Sequence, residues 1–390
     1  MNARLAFVAP DRQLHLLNLE EETSTQLTLS LGDNPLLRWG QPDLPQTGYA
    51  WPCWSPDGRR IACFQFPQGD DVSNPIGVHV VDIDGLNQTE LLQVPGRIPI
   101  YAAWQPNGEG LGVLLQQESE MELGYCRLDS LGKLRVLDQG VPLFFTWGSE
   151  ARRVFVRSGS PEQPLTNRLV VRDTQGELPD EVPPQEPGQY CTPLVVEDRL
   201  VQVERTESIN RLITTDYTGE NEQLLLEFEG LGACVPVAGK RAIIFSAAPD
   251  GGDKPYRGAT WIDLDTGATT RLTNDDCVAF FWSSGGAQLL YVSMDEDETT
   301  LSWNSVRPGE KPVTLIRFKP SREMLFYLHF FDQFVASHRL VSPDGRYLVF
   351  AGYLARPEPT EGTPSIFVLD LRGEFPLREA GAGSFGCFAP

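Results

Sequence analysis

The sequence predicts an all-β chain of repeated four-stranded antiparallel units, on three observations. The stretch 51–66, WPCWSPDGRRIACFQF, sets Ser55, Pro56, Asp57 and Gly58 between two short apolar runs. Proline presets φ while Asp and Gly accept a tight bend, so the stretch is a β-hairpin. Variants of that hairpin recur at Trp104-Gln-Pro-Asn-Gly108, Trp147-Gly-Ser-Glu150, Trp282-Ser-Ser-Gly-Gly286 and Val341-Ser-Pro-Asp-Gly345. One hairpin cannot bury its own faces, so recurrence implies units that stack on their neighbours. The third observation is that the two ends are complementary: the first unit lacks an inner strand, and the last is followed by a surplus one.

Taken in order, 5–9, 14–19 and 26–29 read as the three strands of the incomplete first unit, followed by a long loop, 30–48. Complete units follow at 49–54, 61–66, 77–83 and 89–94, and at 100–104, 111–116, 123–128 and 133–138. The fourth unit offers the Trp147 hairpin, 153–157, 168–172 and a poor last strand near 177–182. The fifth has 191–196, 199–204, 211–216 and 222–228. The sixth has 232–237, 241–247, 259–264 and 269–273. The seventh has 278–282, 288–293, 300–306 and 312–318. After a connection at 318–335, the eighth has 336–341, 347–351, 365–371 and 375–379. The tail, 384–390, is apolar and strand-like. It supplies what the first unit lacks, so the expected ring closes without a free sheet edge. That is a closed β-propeller over 1–390 as a single domain, with eight blades expected and seven as the alternative.

Trp54-Ser-Pro-Asp-Gly58, Val341-Ser-Pro-Asp-Gly345 and the Asp82–Gly85 turn resemble the repeats of TolB-type, WD-repeat-like propellers. They are also similar to the propeller domains of prolyl oligopeptidase-type peptidases. The resemblance covers essentially the whole chain. It implies the fold and little of the function, because these turn residues shape hairpins and perform no chemistry. No counterpart is found to the secretion signal and extra N-terminal domain of TolB, nor to the hydrolase domain of the peptidases.

Composition narrows the partners. The chain has 390 residues and a net charge of −21, which disfavours nucleic acid and anionic membrane. No run approaches the roughly 18 apolar residues that span a bilayer. The N-terminal stretch lacks the apolar core of a signal peptide. Seven cysteines without a CxxC spacing read as buried free thiols, which suits a reducing compartment. A cytoplasmic protein, monomeric on its own, is expected.

Function is sought on the propeller face that carries the long loops, 67–76, 158–167, 248–258 and 353–363 within units and 30–48 and 318–335 between them. The opposite face has tight turns throughout. Long loops on a rigid scaffold are where binding resides. The most unusual segment is 324–334, MLFYLHFFDQF, which sets Phe326, Tyr327, Phe330 and Phe331 around His329 and Asp332, with His338 following. Exposed, such a cluster binds a protein or ligand; buried, it is a plug over the channel mouth. Lys254, Tyr256 and Arg257 form a basic aromatic loop tip, and Trp39 lies in the 30–48 loop.

Sharper chemistry fails on context. Gly381–Gly386 matches GxGxxG and overlaps a nucleophile-elbow pattern, but no helix can follow it. The four histidines are dispersed, and the acidic tips at 70–71 and 295–298 lack EF-hand spacing. No cofactor, metal or catalytic residue is expected. The leading expectation is thus a non-enzymatic scaffold or regulatory subunit that binds a protein or peptide through the long-loop face. The alternative is a small-molecule or metal site at the channel mouth, using His329, Asp332, His338 and Arg257.

Overall fold

Two of the units are built on the same hydrogen-bonded hairpin turn. In the computed structural model, which describes residues 3–30, 47–67, 76–159, 168–175, 192–205, 209–249, 255–283, 285, 287–355 and 362–390, Ser55 Oγ donates to Asp57 Oδ1 and accepts from Arg60 N, while Asp57 Oδ1 also accepts from Arg59 N. Ser342, Asp344, Arg346 and Tyr347 repeat the same three bonds. The motif is therefore structural at both places. Gly58 and Gly345 take φ of 64° and 66°, the left-handed region where a side chain is strained.

The first strands are β1 (Arg4–Val8), β2 (Leu14–Asn18) and β3 (Thr23–Gln26). A four-stranded sheet follows in β4 (Thr47–Trp54), β5 (Arg60–Pro67), β6 (Gly77–Asp82) and β7 (Gln88–Gln93). Another comprises β8 (Ile98–Trp104), β9 (Gly110–Gln117), β10 (Glu120–Arg127) and β11 (Arg135–Gly140). Then β12 (Leu143–Trp147), β13 (Arg153–Ser158) and β14 (Arg168–Asp173) make a three-stranded sheet. The fourth strand expected near 177–182 lies outside the described residues.

Two more four-stranded sheets hold β15 (Leu194–Val196), β16 (Arg199–Arg205), β17 (Asn210–Thr215) and β18 (Gln223–Phe228), and β19 (Leu231–Pro236), β20 (Ala242–Ala248), β21 (Tyr256–Asp263) and β22 (Thr269–Cys277). The last two units are joined. β23 (Ala279–Ser283), β24 (Gln288–Met294), β25 (Leu301–Val306) and β26 (Val313–Pro320) continue into β27 (Tyr347–Leu354), β28 (Ser365–Asp370) and β29 (Arg378–Ala382), because Phe318 pairs with Leu354 and Pro320 with Gly352. Finally β30 (Phe385–Phe388) lies antiparallel to β1, with Leu5 opposite Phe388 and Val8 opposite Phe385. All pairings are antiparallel, and the architecture is that of a β-propeller.

Burial falls from inner to outer strands. β30 is buried throughout and β5 from Ile61 to Gln65, whereas β3 is fully exposed. Successive sheets are fastened by side chains. Trp54 Nε1 donates to Cys387 O (3.1 Å), Trp104 Nε1 to Cys53 O (2.9 Å) and Trp147 Nε1 to Ala103 O (3.2 Å). Each indole thus reaches the inner strand of the preceding unit. Arg4 and Arg60 repeat a second fastening, each donating to the turn carbonyl of the next unit, Gly58 O or Gly108 O, with its guanidinium over Trp54 or Trp104.

One expectation fails. The connection at 318–335 is no irregular crossing: it forms helix α1 (Arg322–His329) and a short helix α2 (Phe331–Phe334). The inner strand expected at 336–341 shrinks to two isolated bridges, Arg339 to Phe388 and Val341 to Leu348.

The indole fastenings give a test. Removing one leaves a buried carbonyl unsatisfied, so Trp104→Phe should lower unfolding free energy by about 1–3 kcal/mol in urea titrations. Trp282→Phe, whose indole makes no hydrogen bond among the described residues, should lose less. Equal losses would show that the hydrogen bond contributes nothing beyond ring volume.

Candidate functional site

Ser321 starts the helical insertion as an N-cap, its side chain accepting from Met324 N at 3.0 Å. From there Met324, Tyr327, Leu328, Phe331 and Phe334 turn inward and are buried. Phe331 packs on Phe280 and Phe281 of β23, Tyr327 on Phe281 and on Phe385 of β30, and Phe334 on Trp51 of β4 and Tyr101 of β8. Gln333 acts as a short substitute for a strand. Its side chain accepts from Phe145 N (3.1 Å) and donates to Phe145 O (2.9 Å), occupying both main-chain groups of one residue in β12. Tyr101 Oη donates to Gln333 O, and Thr192 Oγ1 to Asp332. One insertion therefore touches inner strands of most units: it is a plug.

This sorts the residues expected to form a binding cluster. Tyr327 and Phe331 have no exposed surface and His338 none, so they cannot present a patch to a partner; apolar helix faces are buried wherever a core is at hand. Phe326 keeps 37% exposure, Phe330 is half-buried beside it, and His329 is exposed. Tyr256 belongs to β21 and is buried against Phe280 and Phe331, so it is not a loop tip. Arg257, next along that strand, is exposed. Trp39 and Lys254 lie outside the described residues.

The plug separates two spaces. On the long-loop side, a groove of about 830 Å³ is lined by Trp51, Phe66, Ile98, Phe326, Tyr353 and Phe385, with Arg12, Arg322 and Glu323 beside them. Trp51 was hidden in the sequence as one more apolar strand residue. It sits at a bulge between Ala50 and Cys53 with φ of 55°, a strained backbone for a bulky residue, and packs on Phe326, Phe334, His338 and Phe385. On the other side, a smaller channel cavity of about 350 Å³ holds Asp332, Gln333, Ser337 and Arg339 below the ends of the inner strands.

The channel-mouth set does not converge. His338 is enclosed by Trp51, Tyr101, Phe334 and Phe385, with Nδ1 at 2.8 Å from Ser337 Oγ, while Asp332 lines the channel cavity and His329 is exposed. No group of three or more His, Cys, Asp or Glu among the described residues is placed to hold a metal ion. No helix of the described residues is long and apolar enough to cross a membrane.

Burial disfavours the charged imidazole and draws His338 from 6.5 down to about 3 and His79 to about 4.

No family model matches the chain, and no curated protein does. Solved structures do. The β-propeller domain of the Trilobed protease from Pyrococcus furiosus matches at 11% identity over 87% of this chain and 99% of that one, with a TM-score of 0.51. TolB from Acinetobacter baumannii matches at 12%, over 97% and 79%, with 0.44. An oligogalacturonate lyase in complex with manganese matches at 14%, over 85% and 76%, with 0.44. The resemblance to TolB-type and peptidase-type propellers therefore holds at the level of the fold. The expectation that the chain is not an enzyme is corrected. Its structural neighbours include that lyase and a puromycin-hydrolyzing peptidase of Mycobacterium tuberculosis, about half of whose length this chain spans.

The two buried histidines make stability pH-dependent. Both are held neutral when folded and ionise on unfolding, so their contribution is complete above about pH 6.5 and shrinks as pH falls toward 4, by up to about 1.4 kcal/mol per pH unit each. Urea midpoints measured from pH 7 to 4.5 should fall, and His338→Gln should flatten the slope. An unchanged slope in that variant would place the effect elsewhere.

Proposed function

We propose that the chain binds a peptide segment of a partner protein in the groove on its long-loop face, as a scaffold or regulatory subunit. The observation that carries this reading is the groove's exposed apolar wall, with Phe326 at 37% and Ile98 at 51% exposure around half-buried Trp51. Such a wall suits an inserted aliphatic or aromatic anchor. Arg12 and Arg322 are exposed next to it in a chain of net charge −21, which favours an acidic residue beside that anchor. The strained Trp51 backbone supports the same assignment, since strain of this kind clusters at binding sites.

The scaffold is an eight-bladed ring whose last strand completes the first blade. The pairing of β30 with β1 supports that closure, and the succession of seven sheets, one of them doubled, supports the count. A cytoplasmic location is in keeping with six buried free thiols among the described residues. The chain by itself is taken as a monomer, because a closed ring offers no strand edge for association.

The test is affinity purification of the tagged protein from its own host, with quantitative mass spectrometry. The variant Ile98→Asp/Arg322→Glu/Phe326→Ala should lose the companion protein while its melting temperature stays within about 2–4 °C of wild type, as exposed substitutions allow. Recovery of the companion in full by a folded variant would sink the groove assignment. Tyr327 and Phe331 are left intact, because replacing them would dismantle the plug.

A further inference from the structure

The channel cavity has a polar inventory that the fold does not account for. The indoles of Trp54, Trp104 and Trp147 are engaged with neighbouring strands. Tyr101, Gln333 and Ser337 bond one another or β12, and Thr192 bonds Asp332. Among the described lining residues, the guanidinium of Arg339 and the hydroxyl of Thr146 are the polar side-chain groups that make no hydrogen bond within the protein. Arg339 keeps exposed surface, yet protein crowds it enough that desolvation lowers its pKa.

The repeat shows that Arg339 is foreign to its position. Two residues ahead of Trp54, Trp104, Trp147, Val196, Val237, Trp282 and Phe388, where the inner strands end, the other units carry Pro52, Ala102, Phe145, Leu194, Val235, Phe280 and Gly386; the eighth carries Arg339, two ahead of Val341. An arginine kept for the fold would pair, as Arg346 does with Asp370 and Glu374 a few residues later. A positive charge with no hydrogen-bond or ion-pair partner among the described residues, in a cleft walled by aromatic rings, is an anion site.

We infer that the channel cavity binds a small monocarboxylate with a flat apolar body, its carboxylate on Arg339 and within reach of Thr146, its body among Trp54, Trp104, Phe145 and Phe388. The volume of about 350 Å³ is at the small end of ligand pockets. Asp332 on the same wall opposes a second negative charge, so a phosphate monoester, close to −2 at neutral pH, is disfavoured. This site is separate from the groove and stands without it.

Isothermal titration of the full chain with benzoate and indole-3-acetate tests the inference, with benzamide and indole-3-acetamide as neutral isosteres and phenyl phosphate as the dianion. The acids should bind about tenfold or more tighter than their amides and tighter than phenyl phosphate. Arg339→Gln should lose that preference while melting no lower than wild type, because no hydrogen bond or ion pair of the guanidinium among the described residues is removed. If Arg339→Gln fails to fold, Thr146→Val serves instead and should weaken the acids alone. Amides that bind as well as acids, a substituted chain that binds as wild type, or no heat with any compound at about 5 mM overturns the inference. Tighter binding of phenyl phosphate overturns the choice of a monocarboxylate.

Discussion

The hydrogen bond from an inner-strand indole to the inner strand of the preceding unit is the contact on which the assembly depends. Within a unit, the backbone ladder fixes strand against strand. Between most units there is no ladder, and packed side chains alone set the distance and rotation of one sheet against the next. A tryptophan at the end of an inner strand fills that gap twice over: its ring covers the seam, and its N–H, which must be satisfied once buried, is satisfied only if the neighbouring carbonyl stands at the right height. Trp54, Trp104 and Trp147 do this in succession. Trp54 takes Cys387 as its acceptor, so the same contact that fastens the early units also clamps the C-terminal strand against them. Arg4 and Arg60 reinforce the seam from the outer side, since each bonds the turn of the next unit and lies over its tryptophan.

A propeller fastened in this way leaves inner-strand backbone facing the axis, and the 321–338 segment answers that exposure. Gln333 meets both main-chain groups of Phe145, and the aromatic face of α1 and α2 covers the strand ends around it. The plug also explains why the last unit departs from the repeat. Chain that would have formed its inner strand leaves the axis through α2 and returns only at Arg339 and Val341, so two bridges remain where other units have a strand. β26 and β27 then meet directly, and two units share one sheet.

Most of the fold was legible because its determinants are local. Ser55-Pro56-Asp57-Gly58 dictates a turn through bonds spanning five residues, and the alternation of short apolar runs with such turns is enough to place strands within a few residues of where they lie. A plug was one of the two readings open for 324–334, but its helical form was not expected although the signal was present. Met324, Tyr327, Leu328, Phe331 and Phe334 recur at helical spacing behind the N-cap Ser321, but a strand repeat on both sides led the segment to be read as a crossing. Burial then took Tyr327, Phe331 and His338 out of the expected surface patch and left Phe326. Trp51 and Arg339 could not be recognised one residue at a time. Trp51 reads as one more inner-strand residue and Arg339 as one more surface arginine, and what distinguishes them is a backbone angle in one case and the lack of a partner among the described residues in the other.

That contrast separates the two spaces on either side of the plug. The groove is defined by what it exposes, an apolar wall that water covers poorly; the channel cavity is defined by what it leaves unsatisfied. Nearly every polar group lining the channel is already engaged in holding units together, so a ligand there can bond few of them without breaking a seam. Arg339 and Thr146 are the exceptions, and Arg339 lies where the repeat is interrupted. An insertion that seals the axis thereby also creates, on its far side, a charge with no structural task. Replacing Arg339 by the apolar residue that the other units carry at that position would remove a desolvated charge from the axis and leave the seams as they are, so the fold alone gives no reason for an arginine there.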